Sequence, residues 1–387
     1  MGKVREQEDS MSETTLPPLL AHFVDLEDPR VDRTKHHKLL DILGIALCAT
    51  LSGADTFVAM EQFGRAKFEW LKTFLELPNG IPSHDTIGRV FAVLNPEMFA
   101  RCFGNWTASI CPSLHLQTIS IDGKTSRGSG SKEDNPLHLV SAWANEARLS
   151  LGQVAVEDKS NEITAIPKLL DILEVKGAIV TIDAMGTQKA IAEKIVEREA
   201  DYVLPVKENH PHLFEDMEKM FSRFVDSDMT AFAHDVCSKE NKGHGRTELR
   251  TVCVFTAIQE LRDWQSWKNL QSIIVVVREC WHDGKASSEV SYYISSRKAS
   301  AAAFYGFIRD HWGIENKCHW VLDVCFSEDD SQVRQGHSPE NLSCLRRMAM
   351  AILRNSNGVK GGFATRRLIA GWNETYLETI LFGKPAE

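Results

Sequence analysis

Hydrophobic and polar positions change period along the chain. From Leu16 to Trp106 apolar residues recur at helical spacing, above all in "HHKLLDILGIALCATLSGADTFVAMEQFGRAKFEWLKTFLEL". "PNGIPS" supplies a turn, Ser83 is placed to cap the next helix, and Arg89 falls on its exposed side. A pair of helices about such a turn suits a DNA-reading helix–turn–helix, or plain packing. After Pro112 the runs shorten to strand length: "LQTISIDGKT", "LHLVSAWAN" and "LSLGQVAVED". Helical segments "NEITAIPKLLDIL" and "TQKAIAEKIVEREA" then alternate with the strands "GAIVTIDAMG" and "DYVLPVKEN". Alternation of this kind predicts an α/β fold, a mixed sheet flanked by helices. Between Ala231 and Ser296 a second β-rich block, carrying "TELRTVCVFTA", "QSIIVVVREC" and "SEVSYYISS", interrupts it as an insertion. The expected organisation is therefore a disordered 1–15, a helical domain over 16–111, a core over 112–230 and 297–356 split by the insertion 231–296, and a tail over 357–387.

Arg309 to Ser331, "RDHWGIENKCHWVLDVCFSEDDS", reads as one continuous helix. Trp312, Cys318, Val321 and Leu322 are spaced to form an apolar face. His311, Glu315, His319 and Asp323 follow at i, i+4 steps and line one polar stripe. Two imidazoles and two acids flanked by indoles are an unusual solvated face.

The bulk numbers narrow the classes. At 387 residues the chain can bury at least one full core, and its longest apolar run, from Leu39, is too short and too interrupted to span a membrane. The segment "MGKVREQEDS" lacks the apolar stretch of a signal peptide, and nine scattered cysteines without a CxxC pair suit reduced thiols. The expectation is a cytoplasmic protein with no membrane association. A net charge of −9 counts against a surface coated in base, yet acids gathered at a metal centre lower the total while local Lys and Arg still grip phosphate.

The acids carry the chemistry. Asp122 in "SIDGKTS" and Asp183 in "TIDAMGT" each end an apolar β run, where α/β sheets place ligands. An aspartate there also starts turns, but two such acids with a third on the polar stripe favour a site. Carboxylates without cysteine suit Mg²⁺ or Mn²⁺, and two such ions activate a water or hydroxyl for phosphodiester displacement. Zinc fits less well, because HExxH spacing is absent and His311 and His319 stand two turns apart. No P-loop, GxGxxG or GxSxG is present.

These phrases resemble the DDE transposases of bacterial insertion sequences, within them the H-repeat-associated group. The resemblance rests on "DGKTSRGS", "KSNEI", "TIDAMGTQ", "DYVLPVKEN", "GHGRTELR" and "IRDHWGIENKCHWVLDVCFSED", with "LEDPRVDRTKHHKLLDIL" similar to the associated helical domain. It implies an RNase H-like fold with a β insertion, and a metal-binding catalytic triad of Asp122, Asp183 and Glu315 holding two Mg²⁺ or Mn²⁺ ions. It implies that the indoles anchor the Glu315 helix in the core. Double-stranded DNA, as element ends and as target, would be the partner, bound by a homodimer or larger homo-oligomer. Where many relatives carry Tyr, Arg and Lys around the glutamate, this chain has Ile308, His311 and Leu322. Phosphate contact then falls to Arg309, His311 or His319, and Asp323 and Glu328 compete with Glu315 for the third acid.

Further candidates for DNA contact are Lys124 and Arg127 after the first acid, Lys207 and Asn209 at a strand end, His244 and Arg246 in a Gly-rich loop of the insertion, and Arg89 in the helical domain. Solvated loop charges, turn formation and a flexible hairpin are their plainer readings. Lys159 in "KSNEI" reads equally as a helix-entry residue. The chain is thus expected to cut element ends and join the freed 3′-hydroxyl to target DNA. A metal nuclease of the same fold that does not join, and an inactive domesticated DNA-binding protein, remain as alternatives.

Overall fold

The computed structural model describes residues 16–111, 113–131, 135–157, 160–243, 245–356 and 359–383. They divide into two compact units, one within 96–335 and a second made of residues from 16–95 and 336–383.

Branched apolar runs build the sheet of the first unit. Its strands are β1 (Thr118–Thr125), β2 (His138–Ala144), β3 (Leu149–Ala155), β4 (Ile179–Ile182), β5 (Asp201–Val206), β6 (His234–Gly243), β7 (Arg246–Phe255), β8 (Ser272–His282) and β9 (Lys285–Ser295). They lie in the order β3-β2-β1-β4-β5-β9-β8-β7-β6. β1, β4 and β5 run parallel, and the remaining neighbours pair antiparallel. The first five strands make the RNase H-like sheet. The inserted strands extend it, because β9 pairs with β5 from Val203↔Ser295 to Val206↔Tyr292. One sheet results, with the expected insertion as its far half.

Alternate residues of each strand feed opposite faces. Val180 and Leu204 join Ile121, Ile166, Leu169 and Met217 in one core. Their neighbours Ile179 and Val203 join Val252, Val254, Phe304 and Ile308 in the other. The helices Glu162–Ile172, Lys189–Glu197 and Pro211–Asp226 contribute to the first core, and helix Ala301–His311 to the second. Buried on both sides, β4 is short and almost wholly apolar, IVTI, Thr181 being its one polar residue.

The helical unit is made from both ends of the chain. Helix Leu39–Leu51 is buried almost throughout, and Ser83 caps helix His84–Val93 by accepting from the Thr86 N–H, as its position predicts. Helix Ser338–Asn355, expected in the α/β core, belongs here, and Asn341 donates to the Phe91 and Leu94 carbonyls at 2.9 Å each. Arg367, in the expected tail, donates to the Thr50 carbonyl at 2.8 Å. Conversely helix Pro96–Ile110, expected to close the helical domain, packs on β3. Periodicity identifies an apolar face but not the core it enters. Among the described residues no helix is long and apolar enough to cross a membrane.

Candidate active site

The parallel register of β1 and β4 pairs Ile121 with Ile182. Asp122 and Asp183 are the next residues on the two chains, so adjacent strands, about 4.8 Å apart, deliver them side by side. Glu315 arrives from the segment after helix Ala301–His311. All three acids line one cavity of about 310 Å³, together with Thr181, Lys207, His311 and Trp312.

The helix bearing Glu315 is not continuous. Its α-helical turns stop at His311, Glu315–His319 form a π turn, and the α-helix resumes over Trp320–Phe326. A π turn holds an extra residue, and one residue is about 100° of helix phase. The indoles on either side of it face outward, Trp312 59% and Trp320 57% exposed, which corrects the expectation that they anchor the segment. Ile314, Cys318, Val321, Leu322 and Phe326 do so instead. Gly313 permits the close approach of this segment to the sheet. A Cβ there would stand 1.9 Å from Asn145 Oδ1, and Asn145 is held by its own bonds to Thr118 and Ser120.

Apart from the exposed Glu315, the polar stripe turns toward β1 and β4. His319 is buried with Nδ1 3.5 Å from Asp122 Oδ2, and His311 Nδ1 lies 3.1 Å from the Thr181 hydroxyl. Burial holds His311 below the usual imidazole range despite the charge of Asp183, so it stays neutral at neutral pH. Asp323 reaches the Lys124 ammonium at 2.7 Å. Lys124 also contacts Asp329 at 2.9 Å and Glu328 at 3.3 Å, and Glu328 is 1% exposed. Its charge is engaged inside the protein, not offered to a phosphate. Asp323 and Glu328, the rival third acids, are thereby occupied with Lys124 and do not line the cavity.

The remaining candidates scatter around this centre. Lys207 is exposed and lines the cavity; Asn209 donates to the Ala184 carbonyl at 2.8 Å and so braces the loop after Asp183. Arg127 is 85% exposed, 3.6 Å from Asp329. Arg309 and Arg246 line a second groove, which shares Trp312 and Ile308 with the acid cavity. Arg89 is exposed in the helical unit. His244 and Lys159 lie outside the described residues. Glu162 escaped sequence reading. Its Oε1 lies 2.8 Å from His138 Nε2, and its carboxylate covers Gly123, where a Cβ would come within 2.0 Å of it. Its place as the first residue after the Asn161 cap was the only signal, and helix N-termini commonly carry acids.

Asp122 is pushed up to about 7 by burial first, then by the charges of Glu162, Asp183 and Glu315. Gathered carboxylates that repel one another are the donor set a hard divalent cation relieves, and no cysteine is among the residues lining the cavity. In chemistry the residues fit Mg²⁺ or Mn²⁺. Among the described residues, however, no three His, Cys, Asp or Glu side chains stand close enough to hold one ion without moving.

The raised Asp122 carries a stability consequence in cation-free protein. An unfolded aspartate loses its proton near 3.8, whereas the folded one keeps it to about 7. Over that window the unfolded state binds fewer protons, so stability falls as pH rises, and the cost is complete above pH 7. Asp122→Asn removes it. In a chelating buffer the variant should gain on the parent between pH 4 and 7, by no more than a few kcal/mol at ~1.4 kcal/mol per unit. Denaturant melts across pH measure this; parallel curves would mean that Asp122 is not strained.

Residues 114–352 match the family model for the Transposase DDE domain, and residues 20–107 the model described as DDE_Tnp_1-associated. A protein of Escherichia coli O157:H7, "Putative transposase YncI", is 39% identical over 373 residues, covering 95% of each chain. "H repeat-associated putative transposase YhhI" of Escherichia coli K12 is 39% identical over 375 residues, 95% of this chain and 98% of its own. A cryo-EM structure of a piggyBac transposase synaptic complex with hairpin DNA aligns with TM-score 0.43 at 10% identity, over 95% of this chain and 77% of that one, a likeness too loose to bear on the argument.

Proposed function

Because this chain belongs to the family of the Transposase DDE domain, we propose that it cleaves DNA at the ends of an insertion sequence and joins the freed 3′-hydroxyl to target DNA. The observation that carries the reading is the convergence of Asp122, Asp183 and Glu315, from three separate elements, on one cavity. Asp122 and Asp183, fixed by the strand register, are the residues to hold two Mg²⁺ or Mn²⁺ ions, and Glu315, exposed at the start of the π turn, is the one free to move in and complete the set. When bound, such ions lower the pKa of the attacking water or hydroxyl and neutralise charge on the leaving oxygen.

The protein's other groups act around that centre. His319 braces the Asp122 carboxylate from the helix side. Neutral His311, fixed by Thr181, fills the cavity floor without adding a cation that would compete there. Lys207 at the rim brings a positive charge to an incoming phosphate.

Cleavage of labelled end DNA should require Mg²⁺ or Mn²⁺, vanish in EDTA and return on adding either ion but not Zn²⁺. Cutting that survives thorough chelation would exclude this mechanism.

A further inference from the structure

The sheet face that holds the acid cavity continues onto the inserted strands and there changes character. Along β7, Val254 and Val252 face helix Ala301–His311 in the apolar core, and the next residues on that face are Arg250, Glu248 and Arg246. With Arg278 of β8, Arg309 and Lys317 they line a groove of about 590 Å³. It shares Glu289, Ser291, Tyr293, Ile308 and Trp312 with the acid cavity, so the two adjoin.

At the groove's centre lies one carboxylate among three guanidiniums. Glu248, 7% exposed, takes Arg278 Nε at 2.7 Å, Arg250 at 3.0 Å and Arg309 at 3.6 Å. Burial alone would push its carboxyl up, but Arg278, Arg250 and Arg309 together hold it below the usual range. Arg250 and Arg278 stand directly opposite in the β7–β8 ladder. Like charges facing across a sheet destabilise it, and a buried ion cluster is seldom worth more than apolar packing. Stability does not explain the arrangement. The remaining acids of the groove, Glu289 and Asp310, are outnumbered by its five cations; Glu289 stands 3.5 Å from Arg278, and Asp310 is 3.4 Å from the Thr118 hydroxyl.

We infer that this groove is a preformed phosphate clamp for the DNA backbone next to the reacting strand, in which Glu248 fixes the forks of Arg250, Arg278 and Arg309 for bidentate contact. The inference rests on the transposase reading and adds its DNA path. Glu248 touches no DNA itself; it is a positioning residue. A guanidinium already held in one orientation loses little freedom on meeting a phosphate. The same carboxylate keeps three like charges together in the absence of DNA.

The consequence runs against simple charge counting. Glu248→Gln removes a negative charge from a DNA-binding surface, which by charge alone tightens binding. The clamp predicts the opposite, about tenfold weaker affinity, as one charged hydrogen-bond network is lost. Arg278→Lys keeps the charge but not the fork and should weaken binding to a similar degree, whereas charge alone predicts no change. Fluorescence anisotropy with labelled duplex DNA over a salt series, using the full chain, reads both, with thermal melts showing that each variant is folded. Arg278 is half-exposed, so its lysine variant gives a result even if Glu248→Gln fails to fold. Salt-dependent wild-type binding that Arg278→Lys leaves unchanged, or that Glu248→Gln strengthens, overturns the clamp alone. Wild-type protein with no salt-dependent affinity for DNA overturns the transposase reading along with it.

Discussion

Asp183→Asn and Glu315→Gln are each expected to lower DNA cleavage by at least a thousandfold while leaving DNA affinity within a few-fold of the parent. Both changes nearly conserve shape and remove one charged oxygen donor from the cavity shared with Asp122. Loss of a group that stabilises developing charge typically costs about 10²–10³ in rate, and loss of a donor to the ion that supplies that charge costs more. Affinity should survive because the phosphate contacts proposed above belong to the neighbouring groove and to Lys207, which neither change alters. Asp323→Asn is the control: its partner is Lys124, and it should retain most activity. A fully active Glu315→Gln beside an inactive Asp323→Asn would move the third acid one element along.

Lys124→Met should produce the largest loss of stability of any single change near the site. The ammonium is the shared partner of Asp323, Glu328 and Asp329, and it ties β1 to the end of the helix that carries Glu315. Removing it strands three carboxylates, one of them wholly buried, at a cost of ~3–5 kcal/mol. The sign with pH is definite. Burial and the neighbouring acids raise Asp323 while Lys124 lowers it; without Lys124 that carboxyl takes up its proton more readily, so the deficit should shrink as pH falls. Adding Glu328→Gln should recover part of the loss. Urea unfolding of the single and double variants decides it, and a melt within 1 kcal/mol of the parent (a marginal effect by mutational standards) would show that the cluster is not a structural tie.

These two sets of residues differ in how far the sequence betrays them. Asp183 is visible because it follows the short strand β4, and Asp122 because it follows the apolar start of β1, although β1 runs on to Thr125; the parallel register brings the two side by side. The mixed sheet was legible for the same reason, since period-two runs alternated with period-3.6 runs. Glu315 could be picked from the polar stripe, but its surroundings could not. Helical period assumes 3.6 residues per turn, and the π turn at Glu315–His319 breaks that assumption just where the indoles sit. Lys124 looked like a free base beside the first acid because its partners lie some two hundred positions away. Similarly "TELRTVCVFTA" announced a strand, while the meeting of its Arg250 with Arg278, and of its Glu248 with Arg309, depends on a register and a helix that no local pattern specifies. The joining of helix Ser338–Asn355 to the N-terminal helices was hidden in the same way.

Joining, as well as cutting, is what separates a transposase from a nuclease. Double-stranded DNA bearing the element's terminal sequence, labelled at the 5′ end of the strand whose 3′-hydroxyl is to be joined, is incubated in Mg²⁺ with wild-type protein or Glu315→Gln and unlabelled target. The account predicts labelled product joined to target with the wild type, none with the variant, and none in EDTA. Label found only in cleaved ends would make the protein a nuclease of the same fold, and joined product from Glu315→Gln would contradict the three-carboxylate site itself.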